Sequence, residues 1–214
     1  MTQTQTDWLS RLVALAIALG AWVGLGITLE GQVVKFGSFF VSLWVLSGYF
    51  TILTNFLVAV VFTVLALGGR HSIHPRFLAG VMLAIVLVGV VYGVLLRGLQ
   101  ELTGVELISN MLLHQLIPLL VPIYWFFFTP KLTLRWTDPT LWAIYPLVYL
   151  VYALARGFSE GHFAYPFIDV GTNGTAQVAV TVLIITALFL IVGLGVVWVD
   201  RRIGAGANPA GVTA

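Results

Sequence analysis

Apolar residues run almost unbroken along this chain, and the polar interruptions between them are short. Six runs stand out, at 8–29, 37–67, 77–96, 109–128, 140–155 and 176–199. Crossing the ~30 Å hydrocarbon core of a bilayer takes about 20 apolar residues in an α-helix, and the runs approach or exceed that length. Backbone polar groups in hydrocarbon must be satisfied within their own segment, so such runs predict helices. The expected architecture is all-α, a polytopic bundle of six transmembrane helices. It forms one domain over 1–203, with a flexible C-terminal tail over 204–214. The interruption at 156–175 is the only one long enough for organised structure. The first run is too long for a signal-peptide core and lacks a small-residue cleavage site, so it reads as retained.

Composition agrees with this. Of 214 residues, 60% are hydrophobic and 8% charged, where a soluble domain carries about a quarter charged. Cysteine is absent, which removes disulfides, thiolate metal sites and a cysteine nucleophile. The net charge of +2 gives no basis for nucleic-acid binding. Charge placement, in contrast, orients the bundle. With both termini on one face, that face holds Arg11, Arg70, Arg76, Lys131, Arg135, Arg201 and Arg202. The other face holds only Lys35, Arg97 and Arg156, against Glu30, Glu101, Glu106, Glu160 and Asp169. Cytoplasmic loops are the basic ones, so both termini are expected in the cytoplasm. The short loops and compactness point to a bacterial inner membrane.

Gly20-x-x-x-Gly24 and Gly89-x-x-x-Gly93 allow close helix approach within the bundle. Trp8, Trp44, Trp136, Trp142 and Trp198 mostly fall near span ends, as interfacial anchors do. No internal repeat supports a transporter built on inverted halves.

Against this background a few polar residues stand out. His114 lies in Asn110-Met-Leu-Leu-His114-Gln-Leu-Ile-Pro118, and an ionisable group inside a span is costly enough to mark a functional site. Asn110, His114 and Pro118 are spaced by four, and Pro118 cannot bond back to the carbonyl of residue 114, which is expected to be left free. In the second run Ser47, Thr51 and Asn55 share a helix face, with Thr54 on its flank. In the fifth, Tyr145, Tyr149, Tyr152 and Arg156 form one tyrosine-lined face ending in a cation. At ~1.5 Å per residue, Thr51 lies about 21 Å from residue 37 and His114 about 9 Å below the outer end of its run. The second run exceeds the needed length by roughly 16 Å, so outward protrusion would bring the two to similar depth. Most intramembrane hydroxyls only bond their own backbone or a neighbouring helix, and that bland reading applies to each of these.

Two motifs are set aside. Gly157-Phe158-Ser159-Glu160-Gly161 matches a nucleophile elbow literally, but that motif works on a strand-turn-helix and none is expected here. Gly157 reads as the helix stop and Ser159 as a loop residue. His71 and His74 form half a metal site at best, and no metal or cofactor is expected.

The string Tyr165-Pro166-Phe167-Ile168-Asp169-Val170-Gly171 follows the tyrosine-rich span and precedes the last one. With Asn110-x-x-x-His114-x-x-x-Pro118 and, more loosely, Phe50-Thr51-Ile52-Leu53-Thr54-Asn55, it resembles the androgen-induced protein family. Six spans over the chain length agree with that family. The resemblance implies a multi-pass threonine hydrolase of fatty acid esters of hydroxy fatty acids. It maps the base to His114 and the nucleophile to Thr51, with Thr54 the competitor. A membrane lipid or fatty acid ester is the implied partner.

Chemistry fills in the rest. A threonine hydroxyl needs an adjacent base, and a neutral imidazole serves. Asn55 or Asn110 is a candidate oxyanion donor. No span carries a carboxylate to orient the histidine, which leaves Asp169 or a tyrosine of the fifth span. Tyr165 belongs to a lid over a lipid-accessible cavity or to an interfacial anchor. The alternative to a hydrolase is a non-catalytic lipid-binding or transport protein using the same polar cavity. A third is a purely structural role.

Overall fold

The structure is a computed structural model, and it describes residues 3–99 and 102–207. All regular secondary structure among them is helical. The helices are α1 (Gln3–Phe36), α2 (Phe39–Ser47), α3 (Phe50–Gly68), α4 (Pro75–Val91), α5 (Gly104–Met111), α6 (Ile117–Phe128), α7 (Asp138–Trp142), α8 (Ile144–Glu160) and α9 (Val170–Ala207). A π-helical turn, Tyr92–Leu96, continues α4, and a second, Leu112–Leu116, joins α5 to α6. Counting the continuous pieces together, six segments are long and apolar enough to cross a membrane. Large apolar side chains such as Val34, Phe40 and Leu67 point away from the bundle, as a lipid-facing belt requires.

Span limits shift from those expected. The first helix reaches Phe36 and the last begins at Val170. The run 37–67 is not one span. It breaks at Gly48 and Tyr49 into the short α2 and the 19-residue α3. At ~1.5 Å per residue α3 alone covers about 28 Å, a full bilayer core. The excess length is therefore a separate helix, and Ser47 does not share a continuous helical face with Thr51. The tail expected over 204–214 lies for the most part outside the described residues, and α9 extends to Ala207.

The core gathers Ala14, Ile17, Ala18 and Ala21 of α1 with Val58, Phe62 and Leu65 of α3 and the inward faces of α4 and α6. Small residues seat the π-helical turn. A Cβ on Gly24 would lie 2.6 Å from the side chain of Leu113, and one on Gly89 would lie 2.7 Å from Pro118. Gly20 and Gly24 are thus used inside the bundle. Gly93 faces open space.

The basic loops meet at one end of the bundle. Arg70 reaches Asp7 at 2.7 Å, Arg76 pairs with the buried Asp138, and the amides of Thr133 and Leu134 bond Asp200 at 3.0 and 3.1 Å. These contacts tie the start of α1, the loop after α3, the loop before α7 and the end of α9 together. Both ends of the described bundle therefore share one face.

Candidate functional site

Pro118 determines the local chemistry around His114. In the π-helical turn Ile117 bonds back five residues to the carbonyl of Leu112. The next such bond would run from residue 118 to Leu113, and proline has no N–H to make it. The orphaned carbonyl is that of Leu113, not of His114 as expected, because the turn is wound π rather than α. Asn55 takes it. Its Nδ2 donates to Leu113 at 3.1 Å and to the carbonyl of Thr51, four residues back, at 2.9 Å. Asn55 thereby ties α3 to the turn that carries His114, with Thr51 one helical turn from the tie toward the start of α3.

This bond also overturns one expectation. Both amide protons of Asn55 are spent on backbone carbonyls, and its Oδ1, an acceptor, is buried without a partner. Asn55 therefore cannot donate to an oxyanion. Asn110 is engaged elsewhere too. Its Nδ2 donates to the hydroxyl of Tyr92 at 2.6 Å.

His114 stacks on Tyr92, with ring centroids 4.3 Å apart and planes at 27°. Its Nδ1 is buried and has no partner in hydrogen-bond geometry. Tyr92 was not singled out from the sequence. An aromatic near a span end looks like an interfacial anchor, and only the stacking reveals it.

Thr51 lies in the first turn of α3 and is buried. Its amide donates to the Tyr165 hydroxyl at 3.3 Å, and its Oγ1 lies 3.5 Å from the same oxygen. Tyr165 comes from the loop before the 3₁₀ turn Pro166–Ile168, so the Tyr-Pro-Phe string does fold onto the bundle. Burial pushes the Tyr165 phenol above its ordinary range, so it stays protonated. Thr54 is fully buried and pairs with Tyr145 at 3.1 Å. No hydrogen bond joins Thr51 or Thr54 to His114.

The tyrosine face of α8 closes on the α2–α3 break. Tyr149 donates to the Gly48 carbonyl at 2.8 Å, and Tyr152 meets Ser47 at 3.3 Å. Arg156 donates from Nη1 to the Trp44 carbonyl at 2.8 Å and from Nε to Glu160 at 2.8 Å. Carbonyls in the last turn of α2 lack helical partners, and these side chains supply them. Tyr149, Tyr152 and Arg156 thus fix the elbow, Tyr145 bonds Thr54 farther along α3, and Tyr149 and Tyr165 also line a cleft.

That cleft runs between α3, α4, α8 and α9 and holds about 100 Å³ of free space. Its walls are apolar (Phe50, Leu87, Val91, Leu147, Val182 and Phe189 among them), and its polar groups are Thr51, Tyr149, Tyr165 and Thr186. His114 does not line it.

Asp169 does not turn toward His114. It accepts from the Thr172 amide at 3.1 Å and the Thr172 hydroxyl at 2.8 Å. Those bonds cap α9 and hold its carboxyl below the usual range. Nor do the α8 tyrosines contact the imidazole. The Gly157–Gly161 stretch differs from expectation as well. Helix α8 runs through Gly157 and Ser159 to Glu160, and Gly161 ends it with φ of 69°. Gly157 is bare because Phe163 packs on it, where a Cβ would lie 2.3 Å from the ring.

Among the described residues no cluster of three or more metal-ligating side chains occurs. Comparison with family models, curated proteins and solved structures finds no match for the chain.

Proposed function

We propose that this protein takes the acyl chain of a membrane lipid ester into the cleft and hydrolyses the ester at Thr51. The observation that carries the reading is the placement of Thr51. Its hydroxyl lies in the first turn of a membrane helix, and Thr51 lines an apolar cleft together with Tyr165, whose hydroxyl is 3.5 Å away. Apolar walls of this kind suit the first few methylenes of an acyl chain, with the ester carbonyl beside the Thr51 hydroxyl.

Thr51 Oγ1 attacks the carbonyl carbon and its proton passes to His114. The carbon–oxygen bond to the alcohol breaks, and the alcohol leaves with that proton. Water then attacks the acyl-threonine ester, gives its proton to His114 and releases the fatty acid, while Thr51 regains its proton. The Tyr165 hydroxyl, 3.5 Å from Thr51 Oγ1, is the donor for the developing oxyanion, a role Asn55 cannot fill. Proton transfer needs the imidazole within hydrogen-bond reach of Oγ1, directly or through one water. Asn55 supports the reading by bracing α3 against the turn that carries His114.

A second reading, a non-catalytic lipid-binding or transport protein, is favoured by one observation. Thr51 Oγ1 is paired with Tyr165 and not with an imidazole. Turnover of a fluorogenic long-chain acyl ester by the purified protein separates the two. A hydrolase keeps measurable turnover as Thr51→Ser, loses it as Thr51→Ala and His114→Ala, and is labelled at Thr51 by a fluorophosphonate. A folded protein that retains lipid but shows neither turnover nor labelling would sink the hydrolase reading.

A further inference from the structure

A histidine that accepts a proton in hydrocarbon needs two things that triads draw from a carboxylate: a fixed ring orientation and stabilisation of the imidazolium. Among the described residues no carboxylate bonds His114, and its Nδ1 has no partner in hydrogen-bond geometry. Something else must hold the ring.

We infer that Tyr92 is the positioning residue for His114, supplying with its ring face what an aspartate supplies elsewhere. Three features carry this. The rings are stacked, 4.3 Å between centroids and 27° between planes, so the tyrosine π face covers the imidazole. A cation over a tyrosine face is attracted by the ring quadrupole, and most strongly where water is excluded. Tyr92 is itself fixed, since its hydroxyl accepts from Asn110 Nδ2 at 2.6 Å. Asn110 lies one turn before His114, so the chain that carries the base also anchors the ring that holds it.

The backbone is specialised at both rings. Tyr92 opens the π-helical turn that ends α4, and His114 sits at the centre of the turn joining α5 to α6. Such turns redirect side chains out of the regular helical rows and recur at functional sites. Gly89, one turn before Tyr92, lets Pro118 approach α4 closely. The two π-wound segments are thereby pressed together. Asn110 acquires a role here as the anchor of Tyr92.

The kinetic half of this inference rests on the hydrolase reading; the structural half does not. Its test is nuclear magnetic resonance of histidine-labelled protein in detergent, with the His114 signal assigned through His114→Gln. The stacked ring should shift the His114 signal upfield. That shift should vanish in Tyr92→Leu and persist in Tyr92→Phe, which keeps the ring. Steady-state turnover, normalised to fluorophosphonate-reactive sites, forms the second arm. Tyr92→Leu should lower kcat about ten- to thirtyfold at unchanged KM, and Tyr92→Phe should restore most of it. Asn110→Leu, which frees the Tyr92 hydroxyl but leaves its ring, should lower kcat several-fold. A folded Tyr92→Leu with unchanged kcat, or with the His114 signal in place, overturns the inference. Absence of turnover in the parent protein would overturn the hydrolase reading and the kinetic half with it. The His114 signal would still decide whether Tyr92 holds the ring.

Discussion

Asn55 and Leu113 are joined across the bundle by a 3.1 Å bond from the amide to a carbonyl that Pro118 leaves without its helical partner. The bond is the product of a local defect on one span and a complementary side chain on another. Neither element explains itself alone. Proline at 118 would leave a buried acceptor unpaired, and Asn55 would be an unsupported polar group in the α3 interior.

That dependence can be measured. Asn55→Leu should destabilise the protein by about 1–3 kcal/mol, the usual cost of stranding a buried polar group. In a Pro118→Ala background residue 118 regains an N–H for Leu113, and the same substitution should cost about 1 kcal/mol less. Thermal unfolding in one detergent, run as a double-mutant cycle, checks this. Equal losses in both backgrounds would show that Asn55 acts through the Thr51 carbonyl alone.

Gly157 links the tyrosine helix to the loop that carries Tyr165. A Cβ there would lie 2.3 Å from Cδ1 of Phe163, inside any real contact, so the ring has to move. Gly157→Ala should therefore cost about 1–3 kcal/mol, as overpacking does. It should also pull Tyr165 away from Thr51 and weaken lipid retention. Gly161→Ala serves as the comparison, because nothing lies within 4 Å of its Cβ position. Its strain is confined to the positive φ at the helix end. Lipid retention that falls equally in both variants would disconnect Gly157 from the loop.

The helical class and the six spans were legible because backbone satisfaction in hydrocarbon leaves few alternatives to an apolar helix. His114 stands out in the sequence for a related energetic reason, the cost of an ionisable group inside a span. The α2–α3 break was not. Gly48 and Tyr49 sit inside an apolar run, and the elbow is stabilised by Tyr149 and Arg156, about a hundred residues away in sequence. Pro118 announced a loosened turn, but a proline does not say whether the turn relaxes to α or π winding. The choice transferred the orphan carbonyl from His114 to Leu113 and changed the role of Asn55 from donor to brace.

Lys131 lies outside the spans and makes stability depend on pH. Its Nζ donates to the carbonyls of Trp125 and Thr129 at 2.7 and 2.8 Å, closing the end of α6. Burial pulls its pKa down to about 8, from an ordinary value of 10.5. Between those values the unfolded chain binds the proton more than the folded one, so stability should climb as pH rises through about 8. Unfolding temperatures measured from pH 7 to 9 should show that climb in the parent protein and a flatter profile in Lys131→Met. A climb of the same size in both would assign it to another group.

Tyr165 and Tyr149 both line the cleft, yet their hydroxyls are committed differently. Tyr165 meets the amide and hydroxyl of Thr51, whereas Tyr149 spends its proton on the Gly48 carbonyl. Tyr149→Phe should therefore lower stability by about 1 kcal/mol and leave kcat nearly unchanged. Tyr165→Phe should cost a similar amount of stability but lower kcat about a hundredfold or more, the usual loss when an oxyanion donor is removed. KM and lipid retention should hold in both, because the apolar walls are untouched. The comparison depends on the contrast between two tyrosines on one cleft, so a general loosening of the fold cannot mimic it. Equal losses of kcat in the two variants would remove Tyr165 from the reaction and leave it as a brace for the first turn of α3.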